Sequence, residues 1–195
     1  MYLFFDTETN GLPKNWKAPI SDLSNWPRLV QIAWILYDQS GNEIERNDHI
    51  IKPQGFSIPR EAASIHGITT EKANAEGVDL QWALDEFNTQ VQKALHLVAH
   101  NMDFDEKIVG AEFLRNNMLN PIANKKKICT MKSTTNYVAI EGYYGYKWPK
   151  LSELHQKLFG FDFEAPHNAA ADMNATAKCL WAAKRLGCIK RAAKC

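Results

Sequence analysis

Cysteine is scarce in this chain: four in 195 residues (Cys129, Cys179, Cys188, Cys195), with no two in a CxxC pair. That usage offers neither a zinc site nor a disulfide framework, and a reduced, cytoplasmic setting is the expectation. No run approaches the ~20 apolar residues of a membrane span. The start, Met1 to Asp6, is too short for a secretory signal and lacks its basic leader. No membrane partner is therefore expected. Neither sign of charge dominates either, with 23 Lys and Arg against 22 Asp and Glu. This balance excludes a protein that coats nucleic acid by bulk electrostatics, although it leaves local binding open. Internal repeats, low-complexity tracts and interdomain linkers are also missing. What remains is ordinary for a globular protein, 45% hydrophobic and 23% charged. A chain of this length buries about 70% of its extended surface on folding, enough for a core without covalent staples.

Hydrophobic patterning orders the elements. Tyr2–Phe5 is a short aromatic run and reads as a buried strand. Residues 13–28 carry Pro13, Pro19 and Pro27 with Trp16 and Trp26, which makes a long loop. Leu29–Tyr37 and Glu43–Lys52, joined at Gly41-Asn42, read as antiparallel strands. Helical turns follow at Pro59–Ser64. Thr69 or Thr70 caps a short helix, and Asp79 caps a longer one bearing Leu80, Leu84, Phe87 and Val91. His96–Ala99 and Lys127–Cys129 are short strands on either side of a helix that starts at Met102. Leu151–Phe159 and Ala169–Leu186 are the last helices, stopped by Gly160 and Gly187. The order predicts an α/β domain with a mixed sheet.

Three clusters carry chemistry. Asp6 and Glu8 stand two apart at the end of the first strand, and in a strand such residues share one face. Two carboxylates there repel unless a cation lies between them, and oxygen ligands suit Mg²⁺ or Mn²⁺. The second cluster is His100-Asn101-Met102-Asp103-Phe104-Asp105, where a strand gives way to a helix. Asn101 suits the N-cap, and acids in the first turn complement the helix dipole. The third is Pro166-His167-Asn168, followed by three alanines and Asp172. Each cluster alone has a plainer structural explanation. Together they offer four carboxylates that cannot all stay ionised without compensating charge. Two divalent cations would supply it, as in sites that displace groups at phosphorus, and His167 beside them could accept a proton from water.

These motifs resemble the DEDDh 3′–5′ exonucleases, most closely the proofreading epsilon subunit group of bacterial DNA polymerase III. The matching segments are Asp6-Thr7-Glu8-Thr9, His100-Asn101-x-x-Phe104-Asp105 and His167-x4-Asp172, in family order and spacing. Ile65-His66-Gly67-Ile68-Thr69 and the stretch from Leu151 to Gly160 match as well, so the resemblance spans residues 2–186. It implies a ribonuclease H-like single domain over 1–187, with a mixed central sheet flanked by helices, and a short basic tail over 188–195. It implies a two-metal site made by Asp6, Glu8, Asp105 and Asp172, with His167 as general base. Thr7, Thr9, Glu61, Ile65, His66, Asn101 and Phe104 fall at substrate-contacting positions. The implied activity releases 5′-mononucleotides from DNA 3′ ends, preferably single-stranded or mispaired. An RNA-trimming enzyme of the same family and a catalytically silent nucleic-acid-binding module are the alternatives.

The chain departs from that group in two places. Loop 13–28 is longer, and the residues after the last helix, with Lys190, Arg191 and Lys194, do not resemble the polymerase-binding tail. A free-standing nuclease is thus as well supported as one with a polymerase or repair partner. Two further segments are read more plainly: Lys125-Lys126-Lys127 as a solvated turn, and the stretch 142–149 as a loop packed over the core. In the latter, Tyr143, Tyr144, Tyr146 and Trp148, with Lys147 and Lys150, have the composition of a base-stacking surface.

Overall fold

The structure, a computed structural model, describes residues 1–164 and 166–189. Lys190, Arg191, Lys194 and Cys195 of the expected tail lie outside the described residues. In chain order the elements are β1 (Tyr2–Thr9), β2 (Leu29–Tyr37), β3 (Glu43–Ile50), α1 (Arg60–His66), α2 (Thr70–Glu76), α3 (Leu80–Lys93), β4 (His96–Ala99), α4 (Met102–Arg115), β5 (Lys126–Cys129), α5 (Thr130–Val138), β6 (Glu141–Gly142), β7 (Gly145–Tyr146), α6 (Leu151–Phe159) and α7 (Ala169–Arg185).

Five strands form one sheet in the order β3-β2-β1-β4-β5. β1 pairs antiparallel with β2 and parallel with β4, β2 pairs antiparallel with β3, and β4 pairs parallel with β5. This mixed sheet, flanked by helices, is the ribonuclease H-like architecture expected from the sequence. The central strand explains the apolar start of the chain: Leu3, Phe4 and Phe5 are all fully buried because both faces of β1 are covered. On one face Phe5 meets Phe87 of α3 at 5.3 Å between ring centroids; on the other Phe4 meets Trp181 of α7 at 5.8 Å.

β1 runs to Thr9, four residues beyond the apolar run that predicts it. The cause is pairing: β2 continues alongside, matching Asp6 with Ala33 and Glu8 with Gln31. The two acids are therefore held within a strand, on the face shared with Phe4 and covered by α7. A second difference is α5, which the sequence pattern does not predict. Its segment, Thr130 to Val138, holds three threonines, which are weak helix formers. Thr134 and Thr135 donate their hydroxyls to the carbonyls of Thr130 and Met131, at 2.8 and 2.9 Å. The three lysines 125–127 are not a solvated turn. Lys126 and Lys127 belong to β5, Lys127 pairs with Glu106 at 2.7 Å, and Lys125 donates to the Ala94 carbonyl at the end of α3 at 3.0 Å. The stretch 142–149 is not a loop packed over the core: a two-stranded hairpin from Glu141 to Tyr146 takes up most of it, and Tyr143, Tyr144, Tyr146 and Trp148 are exposed.

Loop 13–28 has no regular structure but is firmly tied. Asn25 accepts from the Asn15 amide and donates back to the Asn15 carbonyl, at 2.7 and 3.0 Å. Arg115 donates to the carbonyls of Leu23 and Trp26, at 2.6 Å each. The anchor is the fully buried Glu112 of α4. Its Oε1 accepts from Arg28 Nε at 2.9 Å, Arg115 Nη1 at 2.9 Å and the Leu29 amide at 3.0 Å. Gly110, on the same helix, faces Ile20 so closely that a Cβ would lie 2.2 Å from that side chain.

Glu112 thus neutralises two arginines and caps the start of β2. Glu112→Ala is expected to destabilise the protein by about 3 kcal/mol, since removing one partner strands the others. Glu112→Gln, which keeps one acceptor oxygen, should fall between that variant and the parent. Urea unfolding midpoints of the three proteins check this ordering; equal midpoints would show that Glu112 anchors nothing.

Candidate metal and nucleotide site

The C-terminal half of β1 brings Asp6 and Glu8 to one edge of the sheet. α7 delivers Asp172 to the same place. Its N-cap is Asn168, whose side chain accepts from the Ala171 amide at 3.2 Å, and Asp172 follows in the first turn. Gln31 of β2, opposite Glu8, fixes that helix start by accepting from the Ala169 amide at 3.3 Å. One carboxylate oxygen from each of Asp6, Glu8 and Asp172 lies within 4.8 Å of the others. Asp172 Oδ2 accepts from the His167 amide at 3.2 Å, whereas its Oδ1 is buried with no partner among the described residues.

Asp105 arrives from the first turn of α4 and is buried. Thr7 holds it, donating to Oδ1 from its amide at 3.1 Å and from its hydroxyl at 2.8 Å. Asp105 lies outside the tight trio but close enough for its charge to be felt by Asp6 and Glu8. His167 is exposed, in a left-handed backbone conformation at φ 65°, and its imidazole charge reaches Asp172. Asn101 occupies the N-cap position of α4 but makes no side-chain cap bond, because it is left-handed too, at φ 67°. There the Phe104 amide bonds to the Asn101 carbonyl instead, at 2.8 Å.

Burial and mutual repulsion set the electrostatics. Desolvation, followed by the charges of Asp105, Asp172 and Glu8, raises the Asp6 carboxyl well above its ordinary range. Desolvation and the charges of Asp172 and Asp105 push Glu8 up to about 8. Asp105 is pushed up to about 8, chiefly by burial, against the opposing pull of the Thr7 bonds. Asp172 is raised to about 6 by burial, against the His167 amide. An all-oxygen set of crowded acids with an orphaned carboxylate oxygen fits a hard divalent cation, which removes both the repulsion and the missing partner.

Beside the acids lies a mainly apolar pocket of about 480 Å³. Its walls include Thr7, Glu8, Thr9, Glu61, Ile65, His66 and Phe104, so six of the seven predicted substrate contacts meet there. Asn101 does not line it. His66, the buried last residue of α1, accepts from the Ile68 amide at Nδ1, 3.2 Å away. Burial lowers its pKa, opposed by the Thr9 backbone, and Gly67 at φ 74° lets the chain turn there. The sequence reading missed Leu12, Pro59 and Ala62, which also line the pocket. For Leu12 the signal was its apolar side chain in an otherwise polar turn, three residues after the acidic strand. Trp16 of the long loop extends this wall, 5.7 Å from the Phe104 ring.

Residues 3–180 match the model of the RNase T family, described as exonuclease. The chain belongs to that family. It is 32% identical over 180 residues to PolC-type DNA polymerase III from two Streptococcus agalactiae strains, covering 92% of this chain. The chain spans only 11% of the length of those relatives. Among solved structures, Escherichia coli exonuclease I with a dT13 oligonucleotide superposes with a TM-score of 0.72 at 23% identity, over 95% of this chain and 42% of that one. A product-bound structure of exonuclease I gives 0.73 at 22% identity, over 94% and 43%. These superpositions show that the fold is shared.

The acid cluster has a consequence for stability. A carboxyl with a raised folded-state pKa binds its proton more tightly folded than unfolded. Its contribution is present below the unfolded value and is lost as pH climbs through the folded one. Metal-free protein is therefore expected to lose thermal stability between about pH 4 and about pH 8, and divalent cation to restore it. Asp105→Asn keeps an acceptor for Thr7 and removes one charge. It should melt higher than the parent near the top of that range, with a shallower pH dependence. Thermal melts in chelator check both; a parent Tm that rises with pH would show that the acids are already compensated.

Proposed function

We propose that this chain is a metal-dependent 3′–5′ exonuclease that removes nucleotides singly from DNA 3′ ends, favouring single-stranded or mispaired ends. The observation that carries this reading is the acid trio opening beside a nucleotide-sized apolar pocket. Family membership and the exonuclease I fold support it, and the bound oligonucleotide named for that enzyme favours a DNA strand. Asp6, Glu8, Asp105 and Asp172 would hold two Mg²⁺ or Mn²⁺ ions. Such ions, when bound, neutralise the acids and stabilise charge developing on a phosphate.

The chain's own residues account for the rest. Ile65 and Phe104 contact the terminal base, and Leu12 adds to that apolar wall. The backbone and side chains around Thr7 and Thr9, with Glu61 and His66, hold the sugar and position the last phosphate against Glu8. His167 accepts a proton from the attacking water. The new P–O bond forms as the bond to the 3′ oxygen of the penultimate sugar breaks, and that oxygen takes a proton from solvent. The phosphate stays on the released nucleotide, a 5′-mononucleotide. Thr7 positions Asp105. We place the activity in the cytoplasm, from the cysteine usage, within an exonuclease domain over 1–187. The PolC-type relatives make a replicative or repair polymerase the partner to test, while kinship with the epsilon subunit rests on the motif spacing.

His167→Ala is expected to lower kcat by ~10²–10⁴-fold with little change in substrate affinity. Single-turnover rates and binding isotherms measured side by side check this; an equal loss in both would make His167 a binding residue. A linear single strand should be degraded while its circular form survives, since the pocket admits an end. Mg²⁺ or Mn²⁺ should support turnover and excess chelator abolish it. Loss of the circle at a comparable rate, or full activity in chelator, would overturn the proposal. RNA and duplex arms of the same assay fix the substrate, with duplex ends slower by the cost of unpairing, about a few kcal/mol.

A further inference from the structure

The segment that follows the β6–β7 hairpin is tied down by a histidine that the reaction above does not use. His100 follows β4 and is half-buried at the C-terminal end of the sheet, where β1 carries its acids. Its Nε2 donates to the Pro149 carbonyl at 3.0 Å, and its Nδ1 lies 2.9 Å from the Thr130 hydroxyl. Burial pushes its pKa down to about 4, so the imidazole is a neutral strut. The strut ties the strand end that leads into α4, and hence to Asp105, to the segment that follows the hairpin.

Anchored in this way, the hairpin puts aromatic rings into solvent. Tyr143 and Tyr144 are 92% and 96% exposed, Tyr146 is 53% and Trp148 is 61%. Four such rings together are an unusual load for a free surface, since large exposed apolar patches mark interaction sites. Lysines outnumber acids around them, Lys132, Lys147 and Lys150 against Glu141 of β6 and Glu153 of α6. Lys132 Nζ sits 5.8 Å from the Trp148 ring centroid, and Lys150 has no ion pair among the described residues. Lys147 is paired with Glu153 at 2.6 Å. Rings with π-faces beside unpaired lysines are the chemistry of single-stranded nucleic acid, in which bases stack and phosphates meet cations.

We propose that this hairpin is a second nucleic-acid contact, a stacking platform for the single-stranded segment that leads to the reacting 3′ end. It rests on the exonuclease reading for its substrate and deepens it by giving the enzyme a length preference. Short substrates fill the acid-lined pocket alone, whereas longer strands reach the platform as well.

The test compares the full chain with Tyr143→Ala/Tyr144→Ala, whose exposed side chains leave the core untouched. Hydrolysis is measured on a trinucleotide and on a strand of about 20 nucleotides. Binding of the longer strand is followed by fluorescence anisotropy with Ca²⁺ in place of Mg²⁺. The expected result is a KM and Kd for the long strand weakened by at least about tenfold, with kcat and trinucleotide hydrolysis unchanged. Lys132→Ala should lower the salt dependence of long-strand binding by about 0.7 in the log–log slope. Unchanged long-strand affinity, or an equal loss on both lengths, would overturn the platform. So would a self-association seen by sedimentation that the variant abolishes while DNA binding persists. If the parent hydrolyses neither strand, the exonuclease reading fails, and the anisotropy arm still decides whether the hairpin binds a strand.

Discussion

Like charges held close together in a partly dry site are the constraint around which this molecule is built. Asp6, Glu8, Asp105 and Asp172 come from a strand and two helices far apart in sequence, yet the charge of Asp172 is felt by each of the other three. Nothing in the acids themselves favours this arrangement. It is imposed by the elements that carry them: a central strand buried on both faces, α7 fixed at its start by Asn168 and Gln31, and α4 held by Thr7. The stability of the core is spent on electrostatic strain at one sheet edge.

The distribution of rigid and irregular structure follows from that demand. One wall of the pocket is a helix that ends at His66 and Gly67; the other is the strand end, leading into a loop without regular structure. That loop would be a poor wall if it moved. Glu112, Arg28 and Arg115 prevent this from below, and Asn15 with Asn25 from within. Trp16, carried by the loop, can therefore lean on Phe104 as a fixed surface.

Much of this was legible in the sequence, for identifiable reasons. The i, i+2 spacing of Asp6 and Glu8 encodes a shared face whatever the strand's length. For that reason the chemistry of the pair is readable although the apolar run that marks the strand stops at Phe5 and pairing carries the strand on to Thr9. Thr69 and Asp79 act as the caps their side chains suggest. The failures also have causes. α5 has no apolar period that separates it from a loop; its threonine hydroxyls are satisfied within their own turn, and the helix packs on β5 and α6. The lysine run looked solvated because its partners, Glu106 and the carbonyl end of α3, are close only in the folded chain. Asn101 has the composition of a cap but a left-handed backbone, which spacing cannot reveal.

The sheet's two edges differ from its acid-bearing end. β3 presents Glu43, Glu45, Arg46, Asp48 and His49 along a half-solvated strand, and β5 is four residues long and begins with two lysines. Unpaired strand edges invite another chain to dock by backbone hydrogen bonding, and short, charged edges resist it. Charge on β3 and shortness on β5 thereby disfavour strand addition. A partner that approaches either edge therefore meets charged side chains before it meets open backbone.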